Sequence, residues 1–103
     1  EDGTIVMHGV LINSAVNISS NCIINSKSLI EHDCTISSNV HISTGVTLNG
    51  GVNIGSNSFI GSGSIINEGV TIGKNCIIGS MTKISKDLKD FSIIDGDKLV
   101  EKK

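Results

Sequence analysis

The sequence predicts an all-β fold, a parallel β-helix of hexapeptide repeats closed by a short C-terminal cap. Three observations carry this expectation. First, every sixth residue is aliphatic fourteen times in succession: Val6, Ile12, Ile18, Ile24, Ile30, Ile36, Ile42, Leu48, Ile54, Ile60, Ile66, Ile72, Ile78 and Ile84. Second, the residue two before each of these is small or β-branched, from Thr4, Val10 and Val16 through to Val70, Cys76 and Thr82. Two inward positions in every six residues do not fit a helix of 3.6 residues per turn; they fit short strands joined by tight turns. Third, Asn21, Asn39, Asn57 and Asn75 each close a hexad and lie eighteen residues apart. Three hexads therefore make one coil, and the run from Thr4 to Asp87 makes about 4.7 coils.

Each hexad contributes a strand and then a corner. One corner column reads Asn21, Asn39, Asn57 and Asn75, with side-chain amides expected to bond up the stack. A second reads Ala15, Asp33, Gly51, Gly69 and Asp87, and the third Gly9, Lys27, Gly45, Gly63 and Met81. Asn and Gly suit the positive φ of a sharp corner. After Asp87 the pattern stops. Leu88 to Ile94 reads as a last irregular strand, Asp95-Gly96 as a turn, and Lys98 to Lys103 as a short helical cap. One domain is expected over 1–103, regular over 4–87, with a terminal strand and cap over 88–103. The chain enters the repeat directly from Glu1-Asp2-Gly3 without an initiator Met, and we expect a fragment of a longer protein.

Composition narrows the function classes. Pro, Trp, Tyr and Arg are absent, and Phe59 and Phe91 are the only aromatics. A narrow prism filled by aliphatic ladders accounts for this. Nucleic-acid binding is disfavoured, because stacking platforms and basic patches are missing. No apolar run is long enough to span a membrane as a helix. The formal net charge is −2, yet seven of the eight lysines lie from Lys74 onward, which reads as a solvated end. Cys22, Cys34 and Cys76 all hold the same inward hexad position, where a small buried thiol fills a slot sized for Val. Free buried thiols point to a reducing, cytoplasmic setting.

A regular prism has no internal cavity, and no loop leaves these hexads to form a lid. The expected cleft lies between prisms packed side by side, as a homotrimer with grooves between subunits. Glu31-His32-Asp33 interrupts the bland Ser/Asn/Gly surface at one corner. A carboxylate beside an imidazole can fix its tautomer and raise its basicity, as a general base requires. Gly50 stands one coil above His32, and its side-chain-free position leaves room and a backbone N–H for a developing oxyanion. His41 lies half a coil on and faces away from His32 within one chain. His8 reads as a surface histidine.

The runs Cys22-Ile23-Ile24-Asn25, Ser28 to Cys34, Asn39 to Ile42 and Ser58 to Ser64 resemble the left-handed β-helix acyltransferases. Within these they are most similar to the sugar acetyltransferases of the sialic acid O-acetyltransferase and bacillosamine-pathway N-acetyltransferase branch. The resemblance covers Gly3 to about Ile94 and implies a left-handed coil. It also implies that His32 is the general base with Asp33 behind it, that Glu31 and Asn25 help bind a sugar nucleotide, and that His41 of a neighbouring chain contacts acetyl-CoA. Gly50 would meet the thioester carbonyl, and the pantetheine arm would pass Ser62 and Ser80. The family usually carries a small α/β domain ahead of the helix. Met81 replaces a frequent Gly, and Ile94 to Lys98 replaces the family's usual Gly-Asn-Pro-Ala-Lys.

The expected function is therefore acetyl-CoA-dependent N-acetylation of a nucleotide-linked (UDP- or dTDP-) 4-amino-4,6-dideoxy sugar, with no metal. O-acetylation of a sugar hydroxyl is the alternative, and a non-catalytic β-helix scaffold follows it. A γ-type carbonic anhydrase would need three metal-ligating histidines, and His8, His32 and His41 are not suitably spaced. Ice binding would need a flat Thr ladder, which the few threonines do not form.

Overall fold

The structure is a computed structural model that describes residues 3–96 and the backbone of a strand at Lys98–Lys102. Fourteen two-residue strands recur every six residues and fall into three parallel stacks. The first holds β1 (Ile5–Val6), β4 (Ile23–Ile24), β7 (His41–Ile42), β10 (Phe59–Ile60) and β13 (Ile77–Ile78). It continues through β15 (Ser92–Asp95) and β16 (Lys98–Lys102). The second holds β2 (Leu11–Ile12), β5 (Leu29–Ile30), β8 (Thr47–Leu48), β11 (Ile65–Ile66) and β14 (Lys83–Ile84). The third holds β3 (Asn17–Ile18), β6 (Thr35–Ile36), β9 (Asn53–Ile54) and β12 (Thr71–Ile72). Register follows the eighteen-residue coil, as in Ile23 on His41 and Thr47 on Ile65. The architecture is an all-β solenoid of about five coils.

The core is what the hexads dictate. Ile24, Ile42, Ile60 and Ile78 form one buried ladder, Ile30, Leu48, Ile66 and Ile84 the second, and Ile36, Ile54 and Ile72 the third. Between them lie buried Cys22, Cys34, Val40, Val46, Val52 and Cys76. In the first coil Val6 and Ile12 keep 49% and 40% of their surface in solvent. Buried serines at inward positions are satisfied by the neighbouring coil. Ser58 Oγ donates to Gly73 O at 2.8 Å and accepts from Cys76 N–H at 3.0 Å.

The corners adopt the backbone that the columns demand. Gly9, Ala15, Asn21, Lys27, Asp33, Asn39, Gly45, Gly51, Asn57, Gly63, Gly69, Asn75 and Met81 all have φ between 57° and 76°. Asp87 is absent from that set, because the register has already slipped. The Asn column is joined by backbone bonds such as Asn39 N–H to Ser20 O and Asn57 N–H to Ser38 O, with no amide ladder between its side chains. Asn earns the corner through its tolerance of the left-handed region.

The last coil is also two residues short. Leu88 bridges Ile72 and Ile93 pairs with Ile77, both sixteen residues apart where eighteen is the rule. Side chains take over carbonyl positions that the slip removes: Asp87 Oδ1 accepts from Thr71 N–H and Asp90 Oδ1 from Lys74 N–H, each at 2.8 Å. Finally, Lys98–Lys102 is strand β16, antiparallel to β15, where a helical cap was expected. The turn at Gly96 (φ 66°) folds the chain back onto an open sheet edge. Unpaired edge N–H and C=O groups are satisfied by another strand, which a helix cannot provide.

Candidate active site

Each coil turns three corners. The corner between the first and second stacks carries Ser26-Lys27, Thr44-Gly45, Ser62-Gly63 and Ser80-Met81. The corner between the second and third carries Ser14-Ala15, His32-Asp33, Gly50-Gly51 and Glu68-Gly69. His32 is thus held in the tight turn between β5 and β6, and Asp33, the positive-φ member of that turn, aims its carboxylate back at the ring. His32 Nδ1 and Asp33 Oδ2 are 3.0 Å apart. Since the carboxylate can only accept, Nδ1 carries the hydrogen and Nε2 of the neutral ring keeps a free lone pair. This hydrogen bond, and secondarily the charges of Asp33, Glu31 and Glu68, outweigh desolvation and hold His32 above its ordinary value of 6.5. The geometry is that of a base with a fixed tautomer.

Gly50 lies directly above. A Cβ added there would stand 2.7 Å from both Cε1 and Nε2 of His32. The imidazole therefore rests on Gly50 and fills the side-chain-free space that the sequence suggested for a reacting group. Among the described residues, the Gly50 N–H makes none of the cross-coil backbone bonds, whereas its C=O accepts from Gly69 N–H at 2.9 Å. An open groove of about 670 Å³ runs up this corner past Glu31, His32, Asn49, Gly50, Asn67, Glu68 and Ser85. Asn13 Nδ2 donates to Glu31 Oε1, and Asn67 Nδ2 to Ser85 Oγ, so the column beside the turn is bonded between coils at its two ends.

The other expected site residues lie elsewhere on the chain. His41 is on the outer face of β7, with its ring centroid 5.0 Å from that of Phe59 in an edge-to-face pair. Asn25 reaches His41, Nδ2 to Nε2 at 3.5 Å, and so sits with His41 and not with Glu31 and His32. Ser62 and Ser80 stack one coil apart at the corner between the first and second stacks. Above Asn25 and Ser43 the same column becomes Gly61 and Gly79, where a Cβ on Gly61 would meet the next coil's backbone at 2.6 Å. Met81, 79% exposed, lays its thioether over Gly63. The chain therefore gathers Glu31, His32, Asp33 and Gly50 at one corner, and Asn25, His41, Ser62 and Ser80 on the face and corner before it.

Glu68, Asn49, Asn67 and Ser85 line the groove without having been singled out in the sequence. The signal was present: Glu68 follows His32 by two full coils. The three thiols are not reactive candidates. Cys34 Sγ donates to Asn49 O and Cys76 Sγ to Lys89 O, each at 3.2 Å, and burial pushes both thiols up. A second groove at the C-terminal end, lined by Lys83, Ile84, Lys86, Leu88 and Ile94 among others, contains none of the expected site residues.

Comparison with known proteins agrees with this architecture. The family model described as bacterial transferase hexapeptide (six repeats) matches residues 51–86. Among proteins of curated function, none matches the sequence significantly. Among solved structures, PerB from Caulobacter crescentus, crystallised with CoA and GDP-perosamine, is similar at a TM-score of 0.83 and 30% identity, covering 90% of this chain and 51% of that one. The acetyltransferase domain of PglB from Neisseria gonorrhoeae matches at 0.69 and 23%, covering 94% and 53%. Serine acetyltransferase 1 from Entamoeba histolytica matches at 0.78 and 16%, covering 84% and 38%, and like PglB it bears on the fold alone. The chain spans about half the length of PerB and of the PglB domain. It is a hexapeptide-repeat β-solenoid, similar in sequence and coil to PerB and in fold to the PglB domain and the serine acetyltransferase.

Proposed function

We propose that this chain is the catalytic solenoid of an acetyl-CoA-dependent N-acetyltransferase acting on the amine of a nucleotide-linked 4-amino-4,6-dideoxy sugar. The observation that carries the reading is His32: its Nδ1 is fixed by Asp33, and its Nε2 keeps a free lone pair beside Gly50 in an open groove. The likeness to PerB, whose crystals hold CoA and GDP-perosamine, supplies the substrate class. The amine attacks the thioester carbonyl while His32 Nε2 removes its proton. The Gly50 N–H, left over by the cross-coil bonding, is the donor for the oxyanion, and the thiolate departs as CoA. Glu31, with Asn25 of a neighbouring copy, contacts the sugar nucleotide, and His41, Ser62 and Ser80 of that copy contact acetyl-CoA. Much of the rate comes from holding both substrates in one groove.

The active assembly in this reading is a cytoplasmic homotrimer. The outer face of the first stack presents Ile23, Phe59 and Ile77, each exposed and in register around His41. The outer face of the third presents Asn17, Thr35, Asn53 and Thr71. A subunit interface buries the apolar face and leaves the polar one in water.

The test is mass spectrometry of reactions with acetyl-CoA and a panel of UDP-, dTDP- and GDP-linked amino sugars. We expect acetylation of a 4-amino sugar that His32→Ala slows by about 10²–10⁴ in kcat, the scale of general-base loss. Undiminished turnover in that variant removes the mechanism, and acetylation of hydroxyl acceptors alone converts it to O-acetyl transfer.

A further inference from the structure

The turn column at the His32 corner rises through His32, Gly50 and Glu68 in three successive coils. Stacked strands are about 4.8 Å apart, so His32 and Glu68 start roughly 10 Å apart in backbone level. Half of that gap is already spanned, because the imidazole lies against Gly50. One coil separates Nε2 from the level of Glu68, and no side chain stands between them in the column. Besides His32, the groove lining there holds two carboxylates, Glu31 and Glu68, and neither a Lys nor a Phe. Glu31 accepts a hydrogen bond from Asn13 on the coil below, whereas Glu68 has no side-chain hydrogen bond among the described residues.

We propose that Glu68 is a specificity residue that selects an ammonium-bearing acceptor over its hydroxyl counterpart by binding the cation across Gly50 from His32. The assignment rests on the reading of His32 as the base. An amine reaches the enzyme largely as R–NH3+, and a carboxylate attracts that charge, whereas a hydroxyl offers it a hydrogen bond alone. The ammonium passes one proton through His32 Nε2 to solvent, and the free lone pair attacks the thioester carbon. As the C–N bond forms and the C–S bond breaks, the nitrogen sheds a second proton to His32, which delivers it to the departing thiolate. The products are the amide, CoA thiol and one released proton. Glu68 acts before this step, by holding the ammonium where Nε2 can reach it.

The test compares the intact protein with Glu68→Gln and Glu68→Asp by NMR of the His32 ring. The probes are the methyl glycosides of 4-amino-4,6-dideoxyglucose and 6-deoxyglucose, which remove any dependence on the nucleotide. We expect the amino glycoside to shift the His32 ring signals, with an affinity about 2- to 5-fold weaker in Glu68→Gln, the scale of a partly exposed charge pair. Glu68→Asp should recover most of that loss, and the hydroxyl glycoside should bind all three proteins equally. Equal affinity of the amino glycoside for wild type and Glu68→Gln overturns the assignment, as does an amino glycoside that leaves His32 unmoved. The mechanism fails separately, through turnover that survives His32→Ala.

Discussion

Gly50→Ala is the sharpest perturbation available, because its damage is confined to one contact. Gly50 is not among the residues of positive φ, so alanine fits its backbone. The added Cβ would stand 2.7 Å from Cε1 and Nε2 of His32 and 3.4 Å from Cδ2. Restoring a carbon contact of about 3.5–4.0 Å requires the ring to withdraw by about 1 Å. A side chain more than half exposed can make that move by swinging about χ1, at the expense of the 3.0 Å bond to Asp33. A 1 Å misplacement in an active site can cost about 10²-fold in rate, so we expect kcat/KM to fall by about 10² with the midpoint of thermal unfolding nearly unchanged. Gly51→Ala is the matched control. Its φ is +70° and its nearest neighbour is Gly69 Cα at 4.0 Å, so its Cβ meets nothing near His32. The left-handed backbone costs alanine roughly 1–2 kcal/mol of stability there, with activity kept. Steady-state rates and thermal melts on the pair decide the matter. Full activity in Gly50→Ala would show that the His32 ring position is irrelevant to turnover.

Two further perturbations follow from the same contacts. His32 is held above 6.5, first by its hydrogen bond to Asp33, so it is competent as a base only above that raised value and activity is lost as pH falls through it. Asp33→Asn removes the carboxylate, and the acid limb of the kcat/KM profile should move to lower pH; an unmoved limb would mean that another group titrates. Ser58→Ala leaves Gly73 O and Cys76 N–H buried without their partner, which should cost about 1–3 kcal/mol in denaturant unfolding. Ser58→Cys should lose less, because Cys22 and Cys34 fill equivalent slots and donate to the matching carbonyls.

In a solenoid, position along the chain is a spatial coordinate, which is why so much here was legible. Counting by six identified the buried ladders, and counting by eighteen placed Gly50 over His32. The same count places Glu68 two coils above, yet a single Glu among Ser, Asn and Gly corners carries no pattern of its own, and it gained meaning only from the groove around it. What the count could not supply was side-chain posture. Which way the His32 ring leans is a rotamer choice, settled by the Asp33 carboxylate and the bare Gly50 surface. Nor could it supply the slip after Ile84, since Asp87 satisfies the corner column while acting as an acceptor for Thr71 N–H. The final strand illustrates the same limit: Lys98–Lys102 has no decisive propensity, and the open edge of β15 determines its pairing.

The division of the site follows from the same geometry. A hexad advances the chain from one corner to the next, and six extended residues span up to about 20 Å. Groups on successive corners of one chain therefore stand at different corners of the prism and open onto different sides of it. Asn25, His41, Ser62 and Ser80 share a face and corner, while Glu31, His32, Asp33 and Gly50 share the next corner. On the proposed homotrimer, a reaction that needs both sets would draw one of them from a second copy. The apolar register of Ile23, Phe59 and Ile77 surrounds His41, so an exposed apolar face also carries part of the second set. Burial of that face and completion of the site would then be one event, and a prism with no lid among the described residues could still enclose its substrates.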